Sequence, residues 1–240
     1  MNENMKDFIK RTLTHYIPSL KYNNSYSQAG EDVVMDFLLQ QTGLCKPHYL
    51  ELGASHPVGS NNTYKFYERG ARGVLVEADK NLIPIIRKIR PEDTILNIGV
   101  GEYDAPEQDF YLFKSSALNT FSREAAQNIE KNGVHKIQAV IKLPVKTINS
   151  IIRENFAAYP DLLSIDIEGL DLPVLKTLDF TEYPIPVICA ETCGYSENHR
   201  KVKNRDIEEF LRTKGYFVYA DTYINTICVN HVWFDSAGKK

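Results

Sequence analysis

Tyr49-Leu50-Glu51-Leu52-Gly53-Ala54-Ser55 is an apolar run that carries one acid and ends in a glycine and two small residues. One βαβ unit further on stands Gly73-Val74-Leu75-Val76-Glu77-Ala78-Asp79, again apolar and again ending in acids. A buried strand that stops at a glycine-containing turn lets a ligand approach the backbone closely. An acid at the tip of the next strand accepts hydrogen bonds from a ribose diol. The two stretches together predict a nucleoside site at the carboxyl edge of a parallel sheet. Gly53 lacks the other glycines of a G-x-G-x-x-G, so the pyrophosphate cradle of a dinucleotide site is missing. A nucleoside without a pyrophosphate points to S-adenosylmethionine.

The flanking sequence alternates helix and strand. Ser27–Gln41 reads as a helix with Val33, Val34, Phe37 and Leu38 inward, and His48–Gly53 as the first strand. Helix Asn62–Arg69 closes at Gly70, strand Gly73–Ala78 follows, and helix Ile83–Ile89 stops at Pro91. Thr94–Val100 is the third strand. An irregular region then holds strands Asp109–Phe113 and Ile137–Val145 around a polar helix, Ser122–Asn132. Helix Thr147–Asn155, strand Leu162–Ile167, helix Leu172–Leu178, strand Pro186–Ala190 and helix Asp206–Lys214 resume the alternation. Tyr216–Ala220 and Thr226–Trp233 predict a closing antiparallel hairpin. Repeated βα units imply a parallel sheet covered on both faces. The expected fold is therefore α/β, a Rossmann-like class I methyltransferase arrangement. It has a seven-stranded, mostly parallel sheet, a C-terminal antiparallel hairpin and a small inserted β region.

The chain has 240 residues, enough for one large domain, with 43% hydrophobic and 25% charged residues. A net charge of −3 argues against a nucleic-acid partner, which needs a basic face. It suits a small neutral or phosphorylated substrate. No apolar run approaches the ~18 residues of a membrane span, and no signal-peptide core stands near Met1. Cys45, Cys189, Cys193 and Cys228 form no C-x-x-C and no zinc spacing, as expected of reduced thiols in a cytoplasmic protein. Residues 1–25 read as an N-terminal helical extension, with Phe8, Ile9, Leu13, Tyr16 and Ile17 at rough helical spacing before Pro18. Such a helix packs on the body or on a second subunit, so a homo-oligomer is one expectation. The domain proper is 26–240.

Candidate site residues fall at strand tips. Glu51, Gly53 and Ser55 would meet the methionine end of the cofactor, and Glu77, with Ala78 beside it, the ribose. Asn97-Ile98-Gly99-Val100-Gly101 ends the third strand, where loops flank an adenine or simply turn. Ser164-Ile165-Asp166-Ile167-Glu168-Gly169 carries acids at the end of a buried strand, which rarely happens without a partner. Asp166 would face the methyl group and is, with His199, a candidate to accept the proton of the substrate hydroxyl. Two readings stay open. Asp166, Glu168 and Glu191 form an oxygen-rich site for Mg²⁺, Mn²⁺ or Ca²⁺. Alternatively, Asp166 hydrogen-bonds cofactor or substrate directly while Glu168 pairs a surface lysine. His56 and His199 lie in loops on the same edge and are candidate general bases.

Taken together, these stretches resemble the FkbM family of S-adenosylmethionine-dependent methyltransferases. The resemblance begins at Ser27-Gln28-Ala29-Gly30-Glu31-Asp32 and runs through Leu52–Pro57, Ser60-Asn61-Asn62-Thr63-Tyr64 and Tyr67–Asp79. It continues through Leu163–Asp171, Ala190-Glu191-Thr192, Gly215-Tyr216 and Asn225-Thr226-Ile227. It implies methylation of a hydroxyl, often on a sugar or a polyketide. It places Gln28, Gly53 and Glu77 in the cofactor site. Ser60, Asn61 and Thr63 would line the substrate mouth, with Ser116 and Thr120 from the irregular region. Many members carry Asp in place of Glu51 and Pro-Asn in place of Ala78-Asp79. Related metal-using sugar methyltransferases place a histidine just after the fourth-strand acid. Here Leu170 and Asp171 occupy that loop, which leaves the role of base to His199 or His56. Members of this size often act on polysaccharide precursors, so a nucleotide-linked sugar is the first expected substrate. The 14 tyrosines suit sugar faces. The rival readings are an NAD-dependent sugar-nucleotide enzyme and a non-catalytic nucleoside-binding module of the same fold.

Overall fold

The protein is described from a computed structural model covering residues 24–115, 118–131, 133–193 and 203–237. The expected N-terminal helix therefore lies outside the described residues, apart from 24–25. In chain order the elements are α1 (Glu31–Gln41), β1 (Tyr49–Leu52), α2 (Tyr64–Glu68), β2 (Gly73–Val76), α3 (Ile83–Ile89) and β3 (Thr94–Leu96). Next come β4 (Gly99–Val100), β5 (Ala105–Leu112), α4 (Arg123–Lys131), β6 (Ala139–Lys146) and α5 (Ile148–Asn155). The chain closes with β7 (Leu162–Ile165), α6 (Asp171–Thr177), β8 (Val187–Glu191), α7 (Asp206–Thr213), β9 (Tyr216–Asp221), β10 (Asn225–Asn230) and α8 (His231–Ala237).

The main sheet runs β3-β2-β1-β7-β8-β10-β9. The first five are parallel, and β10 is antiparallel to both β8 and β9. β1 and β7 are buried along their whole length, which is why they read as unbroken apolar runs and not as alternating ones. Each strand sends side chains to two cores. Leu50, Leu52, Ile148, Ile165 and Leu175 fill one face; Met35, Leu38, Tyr49, Phe66, Leu75 and Ile227 fill the other. Each fully buried aliphatic side chain is worth roughly 1.5–3 kcal/mol relative to exposure. β1 pairs with β2 on one side and with β7 on the other, so the strand order reverses beside β1. In open α/β sheets that reversal opens a crevice at the carboxyl ends of the strands, where ligands bind.

The expected third strand, Thr94–Val100, is broken. β3 ends at Leu96, and Gly99–Val100 joins a second sheet of order β4-β6-β5. Asn97 makes the break: its Nδ2 donates to the Glu77 and Ala78 carbonyls at 2.8 and 3.1 Å, and the chain then turns away from β2. β5 and β6 form a long antiparallel hairpin carrying α4, the inserted region expected between the third and fourth strands of the main sheet. Two helical boundaries also move. α1 starts at Glu31 and not Ser27, because Gly30 takes a left-handed φ of 94°. The final strand stops at Asn230, whose Oδ1 accepts from the Trp233 amide and starts α8 where a strand was expected. No helix among the described residues is long and apolar enough to cross a membrane.

Candidate active site

A cavity of about 230 Å³ opens at the carboxyl ends of β1, β2 and β7, with the inserted sheet as its far wall. At its base Gly53 takes a φ of +84°. A Cβ there would lie 1.9 Å from the Asp166 carbonyl oxygen, so the loops after β1 and β7 touch backbone to backbone. The Asp166 amide also donates to the Leu52 carbonyl at 3.0 Å. Gly53→Ala is expected to destabilise the protein by about 1–3 kcal/mol or more through φ strain alone, with the clash added. A urea unfolding curve superimposable on wild type would contradict this.

Glu77 stands at the tip of β2, 8% exposed. Its Oε2 accepts from the Ser55 amide at 2.8 Å and its Oε1 from the Asp79 amide at 2.7 Å. Burial pushes its pKa up, against the pull of those two amides. The carboxylate is thus clamped in one orientation, with a further lone pair on each oxygen for hydroxyl donors. At the tip of β7, Asp166 is pushed well above the ordinary carboxylate value, by burial first and then by the charge of Glu191 and a hydrogen bond to it. Asp171 holds the intervening loop by accepting from the Ile167 and Gly169 amides at 3.1 and 3.2 Å. Burial raises Asp171 to about 6.

The family model for the methyltransferase FkbM domain matches residues 51–218, which include all three strand tips. The chain belongs to the FkbM methyltransferase family. A search of curated proteins returns no match. Among solved structures the chain is similar to the O-methyltransferase from Bacillus cereus in complex with SAH. That likeness has 12% identity, 95% of this chain and 90% of that chain covered, and a TM-score of 0.42. It is also similar to Burkholderia thailandensis 1,6-didemethyltoxoflavin-N1-methyltransferase with bound 1,6-didemethyltoxoflavin and S-adenosylhomocysteine. There the identity is 11%, the coverage 93% and 84%, and the TM-score 0.42.

The chain gathers many of the expected residues at this cavity. Gln28, Gly53, Ser55, Ser60 and Glu77 line it, as do Ala78, Thr120, Asp166 and Glu168. Gln28 lies outside the matched span, and its loop is held by two buried acids. Asp32 accepts from the Ser25 and Ser27 hydroxyls and the Tyr26 amide at 2.6, 2.8 and 2.7 Å. Glu31 accepts from Ala29 N, Thr222 Oγ1 and Asn225 Nδ2, tying this loop to the β9–β10 turn. The Ser27–Asp32 motif is thus one cavity residue plus its scaffold.

Other expected residues have a different job. Glu51, Asn61 and Thr63 are buried around Arg90, which is fully inaccessible. Arg90 reaches Glu51 at 3.2 Å, Asp93 at 2.7 Å, Asn61 Oδ1 at 3.1 Å and Thr63 Oγ1 at 2.8 Å. Glu51 also accepts from Thr63 Oγ1 and Asn61 Nδ2, at 2.8 and 3.1 Å. Its carboxylate is consumed inside the fold and does not line the cavity. Asn61 and Thr63 likewise do not form the mouth: Asn61 Oδ1 accepts from the Thr63 and Tyr64 amides at the start of α2. Asn97 braces the β2 tip from behind and is not a lining residue. The exposed His56 spends its Nδ1 lone pair on the Val58 and Gly59 amides, so that nitrogen is not available as a base. Ser116 and His199 lie outside the described residues.

The three-carboxylate cation site is not met. No group of three His, Cys, Asp or Glu among the described residues could hold a metal ion. Asp166 and Glu191 follow register-paired positions on neighbouring parallel strands and do meet. Glu168 follows in a left-handed conformation, φ 53°, on an exposed turn. The sequence reading missed Phe110, Asn119 and Phe121, which the insert brings to the cavity, and it missed Arg90. Nothing local marks the insert residues. Arg90 carried one signal, an Arg-x-x-Asp pair at the end of a helix.

Proposed function

We propose that this chain is an S-adenosylmethionine-dependent O-methyltransferase acting on a sugar hydroxyl, with a nucleotide-linked sugar or polysaccharide precursor as the first candidate substrate. The observation that carries this reading is the amide-clamped Glu77 beside Gly53, where the loops after β1 and β7 meet backbone to backbone at the base of the cavity. That arrangement suits a ribose diol and an adjoining thioether chain. Gln28 and Ser55 add polar groups to the same lining.

When bound, the sulfonium supplies an activated methyl group and a neutral leaving group, so positioning dominates the rate. Glu77 orients the ribose. Asp166 accepts the hydrogen bond of the acceptor hydroxyl and takes its proton as that oxygen attacks. Asp171 keeps the Asp166–Gly169 turn in place and so fixes where the proton acceptor stands.

Calorimetric titration with S-adenosylhomocysteine tests the reading, followed by transfer of labelled methyl to a panel of sugar nucleotides. Glu77→Gln should weaken S-adenosylhomocysteine by roughly 10- to 100-fold, the scale of a hydrogen bond to a charged group. Equal affinity in the variant would remove Glu77 from the site.

A further inference from the structure

We infer that the inserted unit, through Phe121, provides the wall against which the adenine of the cofactor packs, and that residue 99 is glycine in order to seat that ring. This rests on the reading of the cavity as an S-adenosylmethionine site.

The sheet order sets the direction of the cavity. Gly99 follows β3, Glu77 ends β2, Gly53 follows β1 and Asp166 ends β7, so the cavity runs along four neighbouring strand tips with Glu77 inside the row. The polar lining groups Gln28, Ser55 and Asp166 belong to the β1–β7 end. Beyond Glu77, on the β3 side, the wall is formed by Ala78, Leu82, Ile98, Phe110 and Phe121, with Asn119 and Thr120 from the same insert beside them. With the ribose on Glu77, a flat base falls at this aromatic end and the charged amino-acid end falls at the other.

Phe121 is held from two directions. Its ring centroid lies 4.4 Å from that of Phe110, tilted by 36°. The backbone just before it is locked to β5, where Thr120 and Tyr111 exchange both amide hydrogen bonds at 2.9 and 3.1 Å. The tip of the ring abuts residue 99: a Cβ there would lie 2.2 Å from Cζ and 2.7 and 2.9 Å from the two Cε atoms. Gly99 pairs with Val145 as an ordinary strand residue, and its φ is not left-handed, so its own backbone does not demand glycine. What demands it is Phe121. Any side chain at 99 must push the ring out of its seat.

The test is a double-mutant cycle read by calorimetry with S-adenosylhomocysteine, each protein checked by circular dichroism and melting. Phe121→Ala should weaken binding by roughly tenfold or more, the scale of base–aromatic stacking, while Phe121→Tyr retains it. Gly99→Ala should reproduce the loss without touching ligand, and the double variant should be no worse than Phe121→Ala alone. Should Phe121→Ala fail to fold, Phe121→Leu takes its place in the cycle. Wild-type binding with Phe121→Ala within twofold of it overturns this inference and leaves the cofactor reading standing. Additive losses in the double variant also overturn it. A wild type that does not bind overturns the cofactor reading and this inference together.

Discussion

Arg90→Met is expected to lower the unfolding free energy by about 3–5 kcal/mol, the cost of breaking a buried ion pair from one side. Burial works against the Arg90 charge, but Glu51, Tyr49 and Asp93 outweigh it and hold the guanidinium above its usual pKa. Removing the cation strands two acids. Glu51 keeps Thr63 and Asn61, whereas Asp93 keeps the Tyr49 hydroxyl at 2.7 Å and the Gly73 amide at 2.8 Å. Neither set supplies a compensating charge. The loss also reaches the cavity, because Asn61 Nδ2 contacts the Ala54 and His56 carbonyls in the loop after β1. Urea unfolding monitored at Trp233 should show an earlier midpoint at an unchanged m-value. A shift below about 1 kcal/mol would mean that water or side-chain relaxation satisfies the two acids.

The second large effect is on turnover. Asp166→Asn should reduce kcat by about 10²–10⁴-fold, the contribution of a positioned general base, while S-adenosylhomocysteine affinity changes little. Equal losses in both would assign Asp166 to cofactor binding. The pH dependence adds a separate check. In the proposed reaction the ionised carboxylate accepts the proton, and its pKa is raised, so wild-type activity is expected to fall as pH drops through that raised value. The residual activity of Asp166→Asn should lack this limb. Stability takes the opposite sign. An acid with a raised folded pKa favours the fold fully below its unfolded value and loses that contribution as pH rises through the folded one. For Asp171 the window runs from 3.8 to about 6. For Asp166 it starts at 3.8 and ends higher than for an ordinary carboxylate. The Asp166→Asn side chain cannot ionise, so this slow variant should hold its stability at alkaline pH at least as well as wild type.

The central strands and the residues at their tips were legible because their signals are local. β1, β2, β7 and β8 are nearly continuous buried runs, each closed by a turn or an acid within a few positions. Gly53, Glu77 and Asp166 could therefore be placed on one edge from a single chain, and α3 emerged with the residues expected of it. Packing decided the rest. Glu51 looks like a site acid in sequence, yet a guanidinium 39 residues away claims it. Glu31 binds Asn225 across 194 residues, and no periodicity predicts such a contact. The break after Leu96 follows from Asn97 reaching the β2 carbonyls, a choice open only once β2 lies alongside. Gly99 reads as a turn glycine until Phe121 arrives from the insert. Burial pattern and turn chemistry are written along the chain, so they identify the sheet and its binding edge. Which polar side chain meets ligand and which meets another side chain depends on the strand order that brings distant segments together.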